Sequence, residues 1–127
     1  MSRLAILFGA GNAVIAIILG AFAAHAIKDS LSQRMLAIFN TAVDYHMYHA
    51  LGLILLGFLM TQLPASKGLT IAMYLMLFGI VVFCGSLYAL SLSGITKLGM
   101  ITPIGGIAFT AAWALVLISF IKQSPVQ

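Results

Sequence analysis

Charge is what this chain has least of. Only 6% of its 127 residues are charged, and just two of those, Asp29 and Asp44, are acidic. A soluble domain carries roughly a quarter charged residues. A chain this poor in charge cannot cover its own surface in water, whereas a bilayer asks for no such covering. Cysteine is nearly absent as well. Cys84 stands alone in an apolar run, which excludes an intrachain disulfide and reads as a small buried hydrophobe. The sequence holds no HExxH, and no serine, cysteine or carboxylate pair is spaced for nucleophilic or general acid–base work. No enzyme is expected on that ground. The six Lys and Arg are scattered rather than gathered with aromatics on one face, so nucleic acid is not an expected partner. No cofactor is expected either.

What the chain has in abundance is apolar length. Hydrophobic residues make up 63% of it and the mean hydropathy is +1.18. About 20 residues of helix cross roughly 30 Å of hydrocarbon. Four stretches qualify, 4–27, 45–63, 69–93 and 104–121. They predict one all-α domain over 1–127, an integral membrane four-helix bundle with the bilayer as its first partner. Lys28, Asp29 and Ser30 end the first stretch, with Asp29 or Ser30 placed to cap the next helix. Residues 31–44 are more polar and predict an amphipathic segment at the interface, ahead of the second span. Pro64, Ser66, Lys67 and Gly68 mark the next turn, and Gly94, Thr96, Lys97 and Gly99 the one after. Thr102 is expected to cap the fourth helix, with Pro103 at its first position.

Arg3, the apolar run and Ala21-Phe22-Ala23 also resemble a secretory signal peptide. The run is long for that purpose, and the segment is read as a retained span. Four spans put both termini on one side, with Arg3, Lys67 and Lys122 there and Lys28, Arg34 and Lys97 opposite. Three against three leaves the positive-inside rule balanced. The free amino terminus tips the expectation toward cytoplasmic termini.

In lipid, apolar burial does not drive helices together, so small residues that let backbones approach must contribute. Gly9, Ala13, Ala16, Gly20 and Ala24 recur at three- and four-residue spacing in the first span. Gly85, Ala89 and Ser93 do so in the third, with Gly79 and Ser86 close to that face. Gly105, Ala108, Ala112 and Ser119 do so in the fourth. These stripes predict a compact bundle. Ordinary intrachain packing accounts for them, and a homo-oligomer or another membrane protein is the further partner they would suit.

The most informative stretch runs from Asn40 to His49. On a helix of about 100° per residue, Asn40, Asp44, Tyr48, Thr41, Tyr45 and His49 fill one half of the circumference, with His46 outside that arc. A carboxylate deep in the membrane costs about 2.5–3.5 kcal/mol. A short connection to the first helix is expected to bring His25 to a similar depth. Asp44 is therefore the leading candidate residue and His25 its expected partner. The cluster His25, Asn40, Thr41, Asp44, Tyr45, Tyr48 and His49 reads as an interhelical hydrogen-bonded clamp. The alternative is a relay for protons, ions or a small molecule. His46 and His49, about 60° apart, could both reach one ion, but no pattern supplies the partners that orient such ligands. No metal site is expected.

With those residues in hand, the chain resembles the DUF423 family, also called the UPF0382 membrane proteins. Gly20-Ala21-Phe22-Ala23-Ala24-His25-Ala26 is similar to the family's G-A-F-G-A-H, with Ala23 in place of its second glycine. Thr41-Ala42-Val43-Asp44-Tyr45 with Tyr48-His49 resembles the second-helix motif, and His46 stands where glutamine is usual. Phe83-Cys84-Gly85-Ser86-Leu87-Tyr88 resembles F-S-G-S-L-Y. Thr102-Pro103-Ile104-Gly105-Gly106 with Phe109 and Ala112-Trp113 resembles the T-P-x-G-G and G-W elements. The resemblance implies a small multi-spanning protein of the bacterial inner membrane. It carries over no substrate, cofactor or catalytic residue. A non-enzymatic scaffold or accessory component is the expected role.

Overall fold

The computed structural model describes residues 1–63 and 66–122. Every regular element among them is helical. Helix α1, Ser2–His25, is apolar on all sides. After it the N–H groups of Ser30 and Leu31 turn back to the Ile27 carbonyl at 3.0 and 3.1 Å. That turn delays the next helix past the expected caps. Ser32, not Asp29 or Ser30, accepts the Met35 N–H at 3.2 Å and opens α2, Gln33–Gln62.

Helix α2 has 30 residues, about 45 Å at 1.5 Å per residue. No proline or glycine interrupts it between Gln33 and Gly52. The expected amphipathic segment 31–44 is continuous with the second span. From Gln33 onward it forms the opening turns of one straight run along α1. The two helices are antiparallel, with Gly57 against Ser2 and Ile6, Gly9 against Ala50 and Ile54, and Gly20 against Val43.

Ser66 caps the third span by accepting the Leu69 N–H at 3.3 Å; Pro64, expected in this turn, lies outside the described residues. The span is made of α3, Lys67–Gly79, a π-helical turn, Ile80–Cys84, and α4, Gly85–Ser93. It ends at Gly94 with φ 74°, a conformation glycine enters without the Cβ penalty. A 3₁₀ turn, Thr96–Met100, leads into α5, Thr102–Ile121. Thr102 does not cap α5 with its side chain. Its hydroxyl lies 2.6 Å from that of Ser86 instead, tying α5 to α4.

Helix α1 lies mainly along α2, and α5 lies along α3 and the π turn. Helix α2 also packs on α3, the π turn and α4, so α2 and the third span sit between two flanking helices. Leu53, Leu56, Leu69, Met73, Met76, Phe109 and Ala112 form the centre of the core. Among the described residues, four helices are long and apolar enough to cross a membrane.

The small-residue stripes hold in part. Gly9, Ala16, Gly105, Ala108 and Ala112 are buried, and Ala13 and Gly20 are half-buried between helices. Gly85 has open space where a side chain would stand, and Ala89 is exposed. In their place Gly79 lies under the Phe109 ring, and Cys84 and Ser86 are buried. Spacing of three and four selects a helix face but not which face turns inward, because a lipid-facing surface is as apolar as the core.

Candidate intramembrane polar site

Two histidines of α2 reach the interior, and they are the two whose ring nitrogens find partners. His46 is 4% exposed. Its Nε2 lies 3.0 Å from Asn12 Oδ1 on α1, and its Nδ1 lies 3.1 Å from Tyr88 Oη on α4. The polarity of this chain follows from its far end. Asn12 Nδ2 donates to the Phe8 carbonyl at 2.8 Å, which leaves Oδ1 as the acceptor facing His46. Nε2 must then donate, Nδ1 must accept, and the Tyr88 hydroxyl donates to it. One neutral tautomer satisfies all three residues, and the chain joins three helices. Phe39 packs on the Tyr88 ring at 5.0 Å.

His49 takes the opposite tautomer. Its Nδ1 lies 2.7 Å from the Tyr45 carbonyl and so must donate, while Nε2 accepts from Trp113 Nε1 at 3.3 Å. The ring stacks flat on Phe109, with centroids 3.4 Å apart and planes 10° apart. Both nitrogens of each imidazole are thus engaged. Among the described residues no three His, Cys, Asp or Glu side chains are grouped to hold a metal ion.

On the outer side of His49 lies a groove of about 520 Å³ between α2 and α5, with Phe83 of the π turn at its floor. Its walls are Tyr45, Phe109, Thr110 and Trp113. Tyr45 packs on Phe83 at 4.7 Å and on Tyr48 at 6.0 Å. Gly105 is what lets α5 come this close, because a Cβ there would meet the Phe83 backbone nitrogen. Thr110 donates to the Gly106 carbonyl at 3.0 Å, leaving its oxygen lone pairs available in the groove.

The structure divides the sequence-derived cluster. His49 and Tyr45 join at the groove, while Asn40, Thr41, Asp44 and Tyr48 face outward and exposed. Thr41 only returns its hydroxyl to the Ala37 carbonyl at 3.0 Å. His25 is also exposed, at the end of α1. Asp44 and His25 are not partners: the register that sets Gly20 against Val43 and Asn12 against His46 separates their levels by roughly 10–15 Å. The expectation of equal depth took α2 to cross from near Tyr45, whereas the helix itself begins at Gln33. Spacing on α2 alone missed His46, Asn12 and Tyr88. A signal was available in Asn12, an amide in the middle of an otherwise apolar first span, since such a group needs a partner on another helix.

Residues 19–106 match the family model described as protein of unknown function (DUF423). The chain belongs to the DUF423 family. Relatives of this DUF423 chain include the UPF0382 membrane protein YwdK of Bacillus subtilis, 45% identical over 92% of this chain and 95% of that one. A UPF0382 membrane protein of Staphylococcus epidermidis is 43% identical over 92% and 94%. Another, from Staphylococcus haemolyticus, is 41% identical over 94% and 97%. No solved structure matches the chain. The motifs that carry the family resemblance pack on one another in pairs, with Gly20 of the first against Val43 of the second. Phe83 and Ser86 contact Gly105 and Thr102, and Tyr88 reaches His46. With its membrane-protein relatives and four apolar helices, the chain is a multi-pass membrane protein.

Proposed function

We propose that this protein is a non-enzymatic accessory or scaffold component of the bacterial inner membrane, with both termini cytoplasmic, which engages a membrane partner through the outer face of α2. One contrast carries the reading. Among the described residues every buried side-chain nitrogen and oxygen has a hydrogen-bond partner, while Asn40 and Asp44 stand exposed along one stripe. Asp44 lies about 15 Å along the helix from Arg34, deep in the span. A carboxylate at that depth is unfavourable against lipid by about 2.5–3.5 kcal/mol, and a partner surface offsets that. The interior chain of Asn12, His46 and Tyr88 acts as the clamp that holds α1, α2 and α4 in place.

A photo-crosslinker at Tyr48, activated in native membranes, should yield one discrete adduct, either a second copy or another membrane protein. The competing reading is a conduit for protons or ions through the polar groups. Proteoliposomes carrying the parent or Asp44→Asn should show equally little flux. Flux in the parent that Asp44→Asn abolishes would overturn the accessory reading in favour of the conduit.

A further inference from the structure

The groove beside His49 has a chemistry of its own. Four aromatic rings, those of Tyr45, Phe83, Phe109 and Trp113, surround about 520 Å³, within the range of small-molecule sites. It opens laterally: Tyr45 and Trp113 remain 40% and 39% exposed, and Ile107 at its edge 70%. What the groove offers a ligand is electron-rich. His49 has no free nitrogen, since one donates to the Tyr45 carbonyl and the other accepts from Trp113. Thr110 has already given its proton to Gly106. The remaining polar groups are the Thr110 oxygen and the Tyr45 hydroxyl, and most of the remaining surface is ring faces, which attract cations.

Charge points the same way. All six Lys and Arg lie at or beyond the ends of the spans, and the one charged side chain within them is Asp44. Asp44 precedes Tyr45 of the groove wall and stands one helical turn from Tyr48, whose ring packs on Tyr45. A lone carboxylate on the helix that forms one wall of an aromatic trough is complementary to one positive charge on an apolar body. We infer that this groove is a binding site for a lipophilic monovalent cation, an aryl or alkyl quaternary ammonium or phosphonium entering from the bilayer. The rings hold the cation's apolar groups, and Asp44, on the same helix but outside the groove lining, supplies the balancing negative charge.

The inference extends the outward-facing reading from a partner surface to a small-molecule site. Its test uses purified protein with no partner present, so neither reading's failure decides the other. Trp113 is the only tryptophan, which makes its fluorescence a report from the groove itself. Protein in maltoside micelles is titrated with tetraphenylphosphonium and, in parallel, with neutral tetraphenylmethane, and bound radiolabelled phosphonium is counted by equilibrium dialysis. The expected result is a saturable Trp113 change at one cation per chain. Asp44→Asn, an exposed substitution, should weaken it about tenfold. Gly106→Leu should abolish it, because a Cβ at Gly106 meets only the Phe83 ring at 3.8 Å and the longer side chain fills the groove. Equal responses to the cation and the neutral compound, with Asp44→Asn unchanged, would show a seat for lipid chains and overturn the inference. No saturable response in the folded parent would overturn it too.

Discussion

At the residue scale, His46 and Asp44 exchange the roles that the sequence suggests for them. Spacing on one helix collects polar side chains into an arc and leaves His46 outside it. Most of that arc faces outward, His49 alone of it being buried, and the solitary histidine is the one that α1 and α4 enclose. Of the cluster, His49 and Tyr45 were legible as neighbours, whereas the chain through His46 was not, because its partners Asn12 and Tyr88 lie on other helices. The tautomer of His46 gives a sharp prediction. A glutamine carboxamide presents one donor and one acceptor at a separation close to that of the two imidazole nitrogens. His46→Gln should therefore keep the parent's melting temperature in detergent. His46→Phe leaves Asn12 and Tyr88 unpaired and should lower stability by about 1–2 kcal/mol. Equal melting of all three proteins, followed by size-exclusion fluorescence, would refute the chain as a clamp.

The elements were the most legible level. Apolar length and the breaks between stretches gave four spans whose ends the structure shifts by a few residues, apart from the start of the second, which moves from 45 back to Gln33, since capping depends on turn bonds such as those to Ile27. Two features were hidden. The second helix is uninterrupted, because polarity alone does not break a hydrogen-bond ladder. The π turn at Ile80–Cys84 leaves no compositional mark. It sets Phe83 against Gly105, and this makes paired glycine substitutions informative. Gly85→Ala enters open space in a helix and should hold or raise stability, by up to about 1 kcal/mol. Gly105→Ala drives a methyl into the Phe83 backbone and should cost about 1–3 kcal/mol. Thermal melts of the two variants side by side check the difference, and matching melts would refute the close approach.

For the whole molecule, burial is uneven. The exposed faces of α1 and α5 are apolar apart from Arg3 and His25 near the ends of α1 and Thr110 in the groove, so the bilayer completes the fold on both flanks. Four spans bring the two ends of the described chain to one side, and the proposal that this side is cytoplasmic has a direct check. Green fluorescent protein fused after the last residue should glow, and alkaline phosphatase at the same place should be inactive. The enzyme inserted after Ser30 should be active, and the reverse pattern would invert the protein. Balanced Lys and Arg explain why the sequence left this open.

The chain through Phe8, Asn12, His46 and Tyr88 also implies an order of biosynthesis. Asn12 and His46 belong to neighbouring helices of the first hairpin, so an amide and an imidazole that would each resist lipid alone can leave the insertion machinery already bonded. Tyr88 is made later. Until it arrives, His46 Nδ1 has an unfilled lone pair on the face where the third span must dock, and the hydroxyl of Tyr88 acts as the latch that joins the second hairpin to the first.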